Sequence, residues 1–198
     1  MTKPFSQACE NNKQPILDIL NSAFTNQKHV LEIGSGSGQH AVYLAKNLPT
    51  ITWQTSDLLI NHLGINQWID DFYIPNIKRP IVVDLAQDHP ILDKVDTIFT
   101  ANTLHIISWP LVQNFFKLVE EQLPSEGILC IYGPFNYQGK YTSESNANFD
   151  IWLKTRDKDS GIRDIEAVCQ LATKSGLSLK EDIAMPANNR ILVFNKSD

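Results

Sequence analysis

An apolar run, Val30-Leu31-Glu32-Ile33, passes into Gly34-Ser35-Gly36-Ser37-Gly38 and from there into a helix-spaced set, Ala41, Leu44, Ala45 and Leu48. The run suits a buried strand and the later spacing suits a helix, so the glycines mark a sharp strand-to-helix turn. Such a turn leaves backbone N–H groups unpaired, and glycine lets a ligand approach them without meeting a Cβ. An α/β protein with a ligand loop behind its first strand is the expected result.

Glu32 discriminates among the ligands such a loop can take. A phosphate-cradling loop continues with Gly-Lys-Ser/Thr, which does not follow here, and Gln39 stands where a dinucleotide fingerprint has its third glycine. A carboxylate two residues before the first glycine repels a pyrophosphate but suits a ligand end bearing ammonium and sulfonium charge. The pattern Glu32-x-Gly34-x-Gly36-x-Gly38 resembles the cofactor loop of class I S-adenosylmethionine-dependent methyltransferases. That resemblance implies S-adenosylmethionine as cofactor, with Glu32, Gly34, Ser35, Gly36 and Gly38 around its methionine part. A nicotinamide-dependent oxidoreductase is the rival that Glu32 and Gln39 oppose.

With 198 residues, 42% of them hydrophobic, the chain has ample material for one core, and a single domain over 1–198 is expected. Its net charge of −5, with no long basic run, disfavours nucleic acid as the main partner. Cys9, Cys130 and Cys169 are too few and too scattered for a zinc site or a disulfide framework, so no metal is expected. Met1 to Asn12 lacks an apolar signal core and no stretch reaches membrane-spanning length, which points to a soluble cytoplasmic protein. The sequence leaves the oligomeric state open.

Taken in order, Ile16, Leu17, Ile19, Leu20, Ala23 and Phe24 predict an amphipathic helix with Pro15 in its first turn, within an N-terminal region 1–28. The polar group ahead of it, Glu10 to Lys13, reads as a solvated start, although Asn12 is also a substrate-contact candidate. Strand two, Ile51 to Asp57, ends on an acid about twenty residues past the loop, where nucleoside-binding sheets place a carboxylate for the ribose hydroxyls; a helix N-cap is the competing role for Asp57. A third, buried strand, Ile81 to Leu85, ends on Asp84, a candidate for the adenine amino group, with Leu85 beside it; capping of the next turn is the plainer role. Val95 to Ala101 makes strand four. Asn102, grouped with the cofactor set, and His105 follow at its carboxyl end, the end where open α/β sheets bind ligands.

Ser108 is expected to cap a helix carrying Leu111, Val112, Phe115, Phe116, Val119 and Leu123. Gly127 to Tyr132 makes strand five, and a long polar insertion over 133–160 reads as a loop or lid, with Phe149, Trp152 and Leu153 suggesting a short helix inside it. A last helix ends at Gly176, and two strands, Leu177 to Leu179 and Ile191 to Phe194, flank Met185-Pro186-Ala187-Asn188-Asn189. The order predicts a Rossmann-like seven-stranded mixed sheet with helices on both faces. This resembles the class I methyltransferase fold, and the resemblance implies that the last strand is antiparallel.

Across almost its whole length the chain is similar to the methyltransferase-like family of unknown function that includes methyltransferase-like protein twenty-six. The similarity rests on Asn12-Lys13 with Pro15-Ile16-Leu17, on Gly36-Ser37-Gly38-Gln39-His40, on Ser56-Asp57 and on Tyr132-Gly133-Pro134. It continues through Gly139-Lys140, Ser145-Asn146, Phe149-Asp150, Gly161-Ile162-Arg163-Asp164 and Met185 to Asn189. One departure is Asn11, where that family tends to carry arginine. The resemblance implies methyl transfer from S-adenosylmethionine and supplies no substrate. An acceptor bearing a proton needs a base, for which His105 and Asp150 are the candidates. Tyr132, Asn136, Asn146, Arg163, Asn188 and Asn189 form an amide-rich set suited to a small polar molecule. Fastening of the long loop is the competing role for Tyr132 and Asn146, and a surface pair with Asp164 or Glu166 is that for Arg163. A catalytically silent protein that binds the cofactor is the alternative function.

Overall fold

A computed structural model describes residues 3–87, 91, 92 and 94–197. Seven strands form one sheet in the order β3-β2-β1-β4-β5-β9-β8. They are β1 (His29–Ile33), β2 (Thr52–Asp57), β3 (Ile77–Val82), β4 (Thr97–Ala101), β5 (Ile128–Gly133), β8 (Leu177–Met185) and β9 (Asn189–Lys196). β1 pairs in parallel with β2 and β4, and β2 with β3, whereas β9 runs antiparallel to β5 and β8. The mixed sheet is the one the element order predicts, and its antiparallel last strand is the one the fold resemblance implies. Contacts divide the chain into two compact units, Met1–Thr100 and Ala101–Asp198.

The first unit carries helices α1 (Gln7–Ala23), α2 (Gln39–Asn47) and α3 (His62–Asp70). Its core is built from Ile16, Leu20, Leu31, Leu44, Ile65, Ile98 and Phe99, with Trp53 fully buried and set edge-on to Phe99 at 5.7 Å. α1 corrects the sequence reading, since it starts eight residues before Pro15. Ser6 caps it, accepting a hydrogen bond from the Cys9 amide at 3.3 Å, and Pro15 lies inside. The polar residues ahead of Pro15 are therefore helical, and Asn12 among them is buried. β3 is also displaced from the expected position. It spans Arg79 and Pro80 and lies at the sheet edge, where a missing N–H costs no ladder bond.

In the second unit, α4 (Trp109–Gln122) and α6 (Ile165–Lys174) supply Val112, Phe115, Phe116 and Val168 to a core shared with Leu129, Ile131 and Ile191 to Phe194. Ser108 occupies the expected cap position of α4 but makes no capping bond through its side chain. β8 runs six residues beyond Leu179, to Met185, and a short turn at Pro186–Asn188 leads into β9. The insertion after β5 is largely ordered. It holds α5 (Glu144–Arg156) and, before it, the two-residue strand β6 (Phe135–Asn136), which pairs in parallel with β7 (Arg163–Asp164). Ser143 caps α5 by accepting from the Asn146 amide at 3.1 Å, so the helix begins five residues before Phe149. α5 turns Asn146, Asp150 and Leu153 inward and leaves Ile151 and Trp152 exposed, an arrangement invisible to a search for an apolar stripe.

Candidate functional site

β1 delivers Glu32 to the base of the glycine turn with its side chain buried, 2% exposed. One carboxylate oxygen accepts from the Ser35 hydroxyl at 2.8 Å and from the Trp53 indole at 3.0 Å. Burial pushes the Glu32 carboxyl up to about 7, and the nearby Asp57 charge adds to the rise, against the lowering by its two donors. Both donors are neutral, so a buried acid at the head of the loop has no cation beside it among its hydrogen-bond partners in the described structure.

Asp57, at the end of β2, ties the turn together. One of its oxygens accepts from the Gly36 amide at 2.7 Å; the other accepts from the Leu58 amide and the Asn61 side chain, each at 2.7 Å. Ser35 donates its amide to the Ser56 carbonyl at 2.9 Å, and the Ser56 hydroxyl returns a bond to the Glu32 carbonyl at 2.6 Å. Gly34, Gly36 and Gly38 all have left-handed backbones, with φ of 73°, 58° and 89°. A Cβ added at Gly36 would meet nothing within 4 Å, whereas one at Gly38 would lie 3.0 Å from the Ile65 Cα. Gly38 is thus required for packing, and Gly36 borders open space beside an acid-lined turn. An uncompensated buried carboxyl next to an open glycine fits the cationic methionine end of S-adenosylmethionine.

The other expected cofactor residues of this unit lie farther along the chain. Asp84 caps its own turn, accepting from the Ala86 amide at 2.9 Å and the Gln87 side chain at 3.0 Å, with half-buried Leu85 between. Asn12 meets His40, the residue after Gln39, with 2.6 Å between the amide oxygen and Nε2. Gln39, in the place of the missing third glycine, joins α1 to the start of α2. It accepts from the Ser6 amide at 2.5 Å and donates to Glu10 at 2.9 Å. Neither Gln39 nor His40 was singled out from sequence as a site residue, because their partners are some thirty positions away.

In the second unit, Asn102 adopts a left-handed backbone, φ 58°, and donates its amide to the Tyr132 carbonyl at 2.9 Å; Tyr132 is buried in β5. His105 is buried edge-on against Phe149 at 5.4 Å. Burial, with the Arg163 charge, pushes it down to about 4. Asp150, 2% exposed, collects three donors: the Ile162 amide at 2.6 Å, Lys154 at 2.6 Å and the Tyr141 hydroxyl at 2.7 Å. Burial would raise its carboxyl, but these donors prevail and hold it below the usual carboxylate range. Arg163, expected as a substrate contact with a surface acidic pair as its competing role, donates its guanidinium to the carbonyls of Leu104 at 3.0 Å, Ile107 at 2.5 Å and Asp159 at 2.9 Å.

Asn146 donates to Thr142 at 2.9 Å and to the Asn188 carbonyl at 3.1 Å; Asn188 donates in return to Ser145 at 3.1 Å. The two asparagines therefore fasten α5 to the β8–β9 turn. The Asn189 side-chain amide donates within that turn, to the carbonyls of Pro186 and Ala187. Among the described residues the buried amide oxygen of Asn136 has no hydrogen-bond partner, and the same holds for one oxygen of Asp164 and for the amide oxygen of Asn195. From sequence Asp164 is only a surface-pair partner for Arg163; its register opposite Asn136 comes from the β6–β7 pairing, which no spacing shows. Among the described residues no group of three or more His, Cys, Asp and Glu is placed to hold a metal, and no helix is long and apolar enough to cross a membrane.

The fold is that of class I S-adenosylmethionine-dependent methyltransferases. An O-methyltransferase family protein from Burkholderia thailandensis matches with a TM-score of 0.82 at 14% identity, over 96% of this chain and 58% of its own. The S-adenosylmethionine-dependent methyltransferase SibL in its apo form matches with a TM-score of 0.81 at 17% identity, over 96% and 56%. Human N-acetylserotonin methyltransferase in complex with S-adenosylmethionine gives 0.80 at 13%, over 97% and 53%. This chain thus spans a little over half the length of these solved structures. A family model matches residues 3–196, and the chain belongs to that family, described as "Protein of unknown function (DUF938)".

Proposed function

We propose that the protein transfers a methyl group from S-adenosylmethionine to a small polar molecule. The reading rests above all on Glu32, a buried carboxyl with only neutral donors, beside the open Gly36. Glu32 with Gly34, Ser35, Gly36 and Gly38 would hold the methionine part, Asp57 the ribose, and Asp84, Leu85 and Asn102 the adenine end. The resemblance to methyltransferase-like protein twenty-six is the finer family reading, and O-methyltransferases among the fold neighbours favour a hydroxyl as acceptor.

When bound, the cofactor supplies a methyl group already activated on sulfonium. The chain then has to orient the acceptor and exclude water. Asn12, Tyr132, Asn136, Asn146, Arg163, Asn188 and Asn189 are the proposed acceptor contacts, with Asn146, Asn188 and Arg163 acting by holding their loops in place. His105 is the proposed proton acceptor, unprotonated at neutral pH because of its burial. Asp150 would position the loop before Ile162.

One observation favours a second reading, a catalytically silent cofactor-binding protein. His105 at about 4 and Asp150 below the usual carboxylate range are both weak bases at neutral pH. Calorimetry should find S-adenosylmethionine binding and no tight NAD binding; tight binding of NAD alone rejects both readings. A labelled-methyl screen against metabolite extracts separates enzyme from silent binder, since a silent protein binds cofactor and labels nothing. Asp57→Ala should lower cofactor affinity about 100-fold, as expected when bonds to a charged acceptor disappear, and unchanged affinity would refute the ribose assignment.

A further inference from the structure

The two-stranded sheet that follows β5 holds two buried acceptors that nothing in the described structure satisfies. Asn136 on β6 lies in register with Asp164 on β7. Residues opposite each other on paired strands sit about 5 Å apart and share a face. The Asn136 side chain is only 9% exposed, and its amide oxygen is buried without a donor. The Asp164 oxygen Oδ1 is likewise buried without a donor. Asp164 occupies the N-cap position of α6 with an extended backbone, φ −72° and ψ 130°, yet its side chain makes no capping bond. A capping residue that does not cap, opposite a second orphaned acceptor, is not accounted for by the helix.

Three cations of this unit already have partners among the described residues. Arg163 is spent on three carbonyls, and Lys154 is bound to Asp150. Arg190 is held by Asp182, which also accepts from Tyr137, and Glu166 accepts from the Gln138 amide. The Asp164 charge reaches the Tyr141 hydroxyl, which donates to Asp150. β6 lies just past the carboxyl end of β5, where sheets of this type take their ligands.

We propose that the in-register pair Asn136 and Asp164 receives a primary ammonium group carried by the acceptor molecule. This rests on the methyl-transfer reading for the word acceptor, and on the two orphaned oxygens for the ammonium. An ammonium offers three donors and no acceptor, so it can serve both oxygens at once and neutralise one of them. A hydroxyl has a single donor and leaves one oxygen unsatisfied. A hard metal ion demands six or more oxygens, far beyond the two offered.

The full chain without cofactor tests this. With 15N-labelled protein, the Asn136 side-chain amide signal, assigned by its loss in Asn136→Ser, is followed during titration with matched probes. The pairs are ethanolamine against ethylene glycol, and phenethylamine against 2-phenylethanol. Each amine should move the signal to saturation while its alcohol partner does not, and Asp164→Asn, which keeps size and shape, should weaken amine binding about tenfold. Equal response to amine and alcohol overturns the proposal; so does no saturable response, as expected from a bridging water or from an Asn136 amide turned to donate to Asp164. The probe pairs act on unaltered protein, so a variant that fails to fold leaves this comparison decisive. Amine binding without S-adenosylmethionine binding would refute methyl transfer and leave the receptor in place. Cofactor binding without amine binding would do the reverse.

Discussion

The glycine turn of the first unit and the 133–164 segment of the second solve a similar problem in different ways. Both bend the chain at the carboxyl end of a strand with a buried acid at the centre. In the first, Asp57 is four residues from Asn61 and twenty-one from Gly36, and its bonds stay within the turns that follow two adjacent parallel strands, β1 and β2. In the second, Asp150 clamps Ile162, Tyr141 and Lys154 around a helix that buries polar groups and exposes apolar ones. A turn between neighbouring strands can be anchored by one carboxylate and still leave an open glycine. A long insertion needs its acid fully occupied to stay folded.

The sharpest way to break this comparison is Asp150→Ala, which strands a buried amide, a tyrosine hydroxyl and a lysine together. Lys154 and Tyr141 can turn to water, so the cost comes mainly from the buried Ile162 amide left without an acceptor; it should be about 3 kcal/mol, measured by urea denaturation. A loss under about 1 kcal/mol, the scale of an exposed pair, would show that the insertion does not depend on the clamp.

A smaller effect compares the buried histidines, His40 in the first unit and His105 in the second, both pushed by burial from 6.5 to about 4. Each takes up its proton more readily when unfolded. Their contribution is therefore complete above about pH 6.5 and declines as the pH falls toward 4. Between pH 7 and 4.5 each should remove roughly 2–3 kcal/mol. His40→Gln and His105→Gln should each flatten that acid limb in denaturant midpoints, and an unchanged slope would exclude the residue concerned.

The smallest effects concern glycines. Gly38→Ala combines a left-handed backbone with a contact at the Ile65 Cα and should cost about 2 kcal/mol. Gly36→Ala and Gly139→Ala share a left-handed φ, 58° and 70°, and open surroundings. Each should cost only about 1 kcal/mol. Gly36→Ala alone should also weaken S-adenosylmethionine binding, by calorimetry. Equal affinities for the two variants would remove Gly36 from the cofactor site.

The same contrast explains what the sequence could disclose. The mixed sheet follows from the alternation of strand and helix patterns, which is local, whereas the antiparallel last strand is legible through the fold resemblance and the order of strands in the sheet is set by long-range pairing. Glu32, Gly36 and Asp57 could be grouped because a strand-turn-helix unit fixes their relation within some twenty-five residues. Pro15 misled, since the polar segment before it is helical through contacts of Asn12 and Gln39 with distant partners. Pro80 hid β3 because an edge strand tolerates proline in a way a buried one does not. Asp164 and Tyr141 stayed invisible as site residues for a similar reason: their roles arise from register and packing across the insertion, and no spacing rule encodes either.

The account stands or falls with Glu32. Its carboxyl titrates at about 7 in the free protein because burial resists the charge, so a bound cation should drive the proton off. Calorimetry of S-adenosylmethionine binding from pH 6 to 8, in buffers of different ionisation enthalpy, measures that proton directly. Affinity should rise with pH, and proton release should be largest at pH 6, about one half near pH 7 and small at pH 8, all lost in Glu32→Gln. Binding that is independent of pH, or a release that persists unchanged in Glu32→Gln, would contradict a carboxyl that selects the positively charged cofactor.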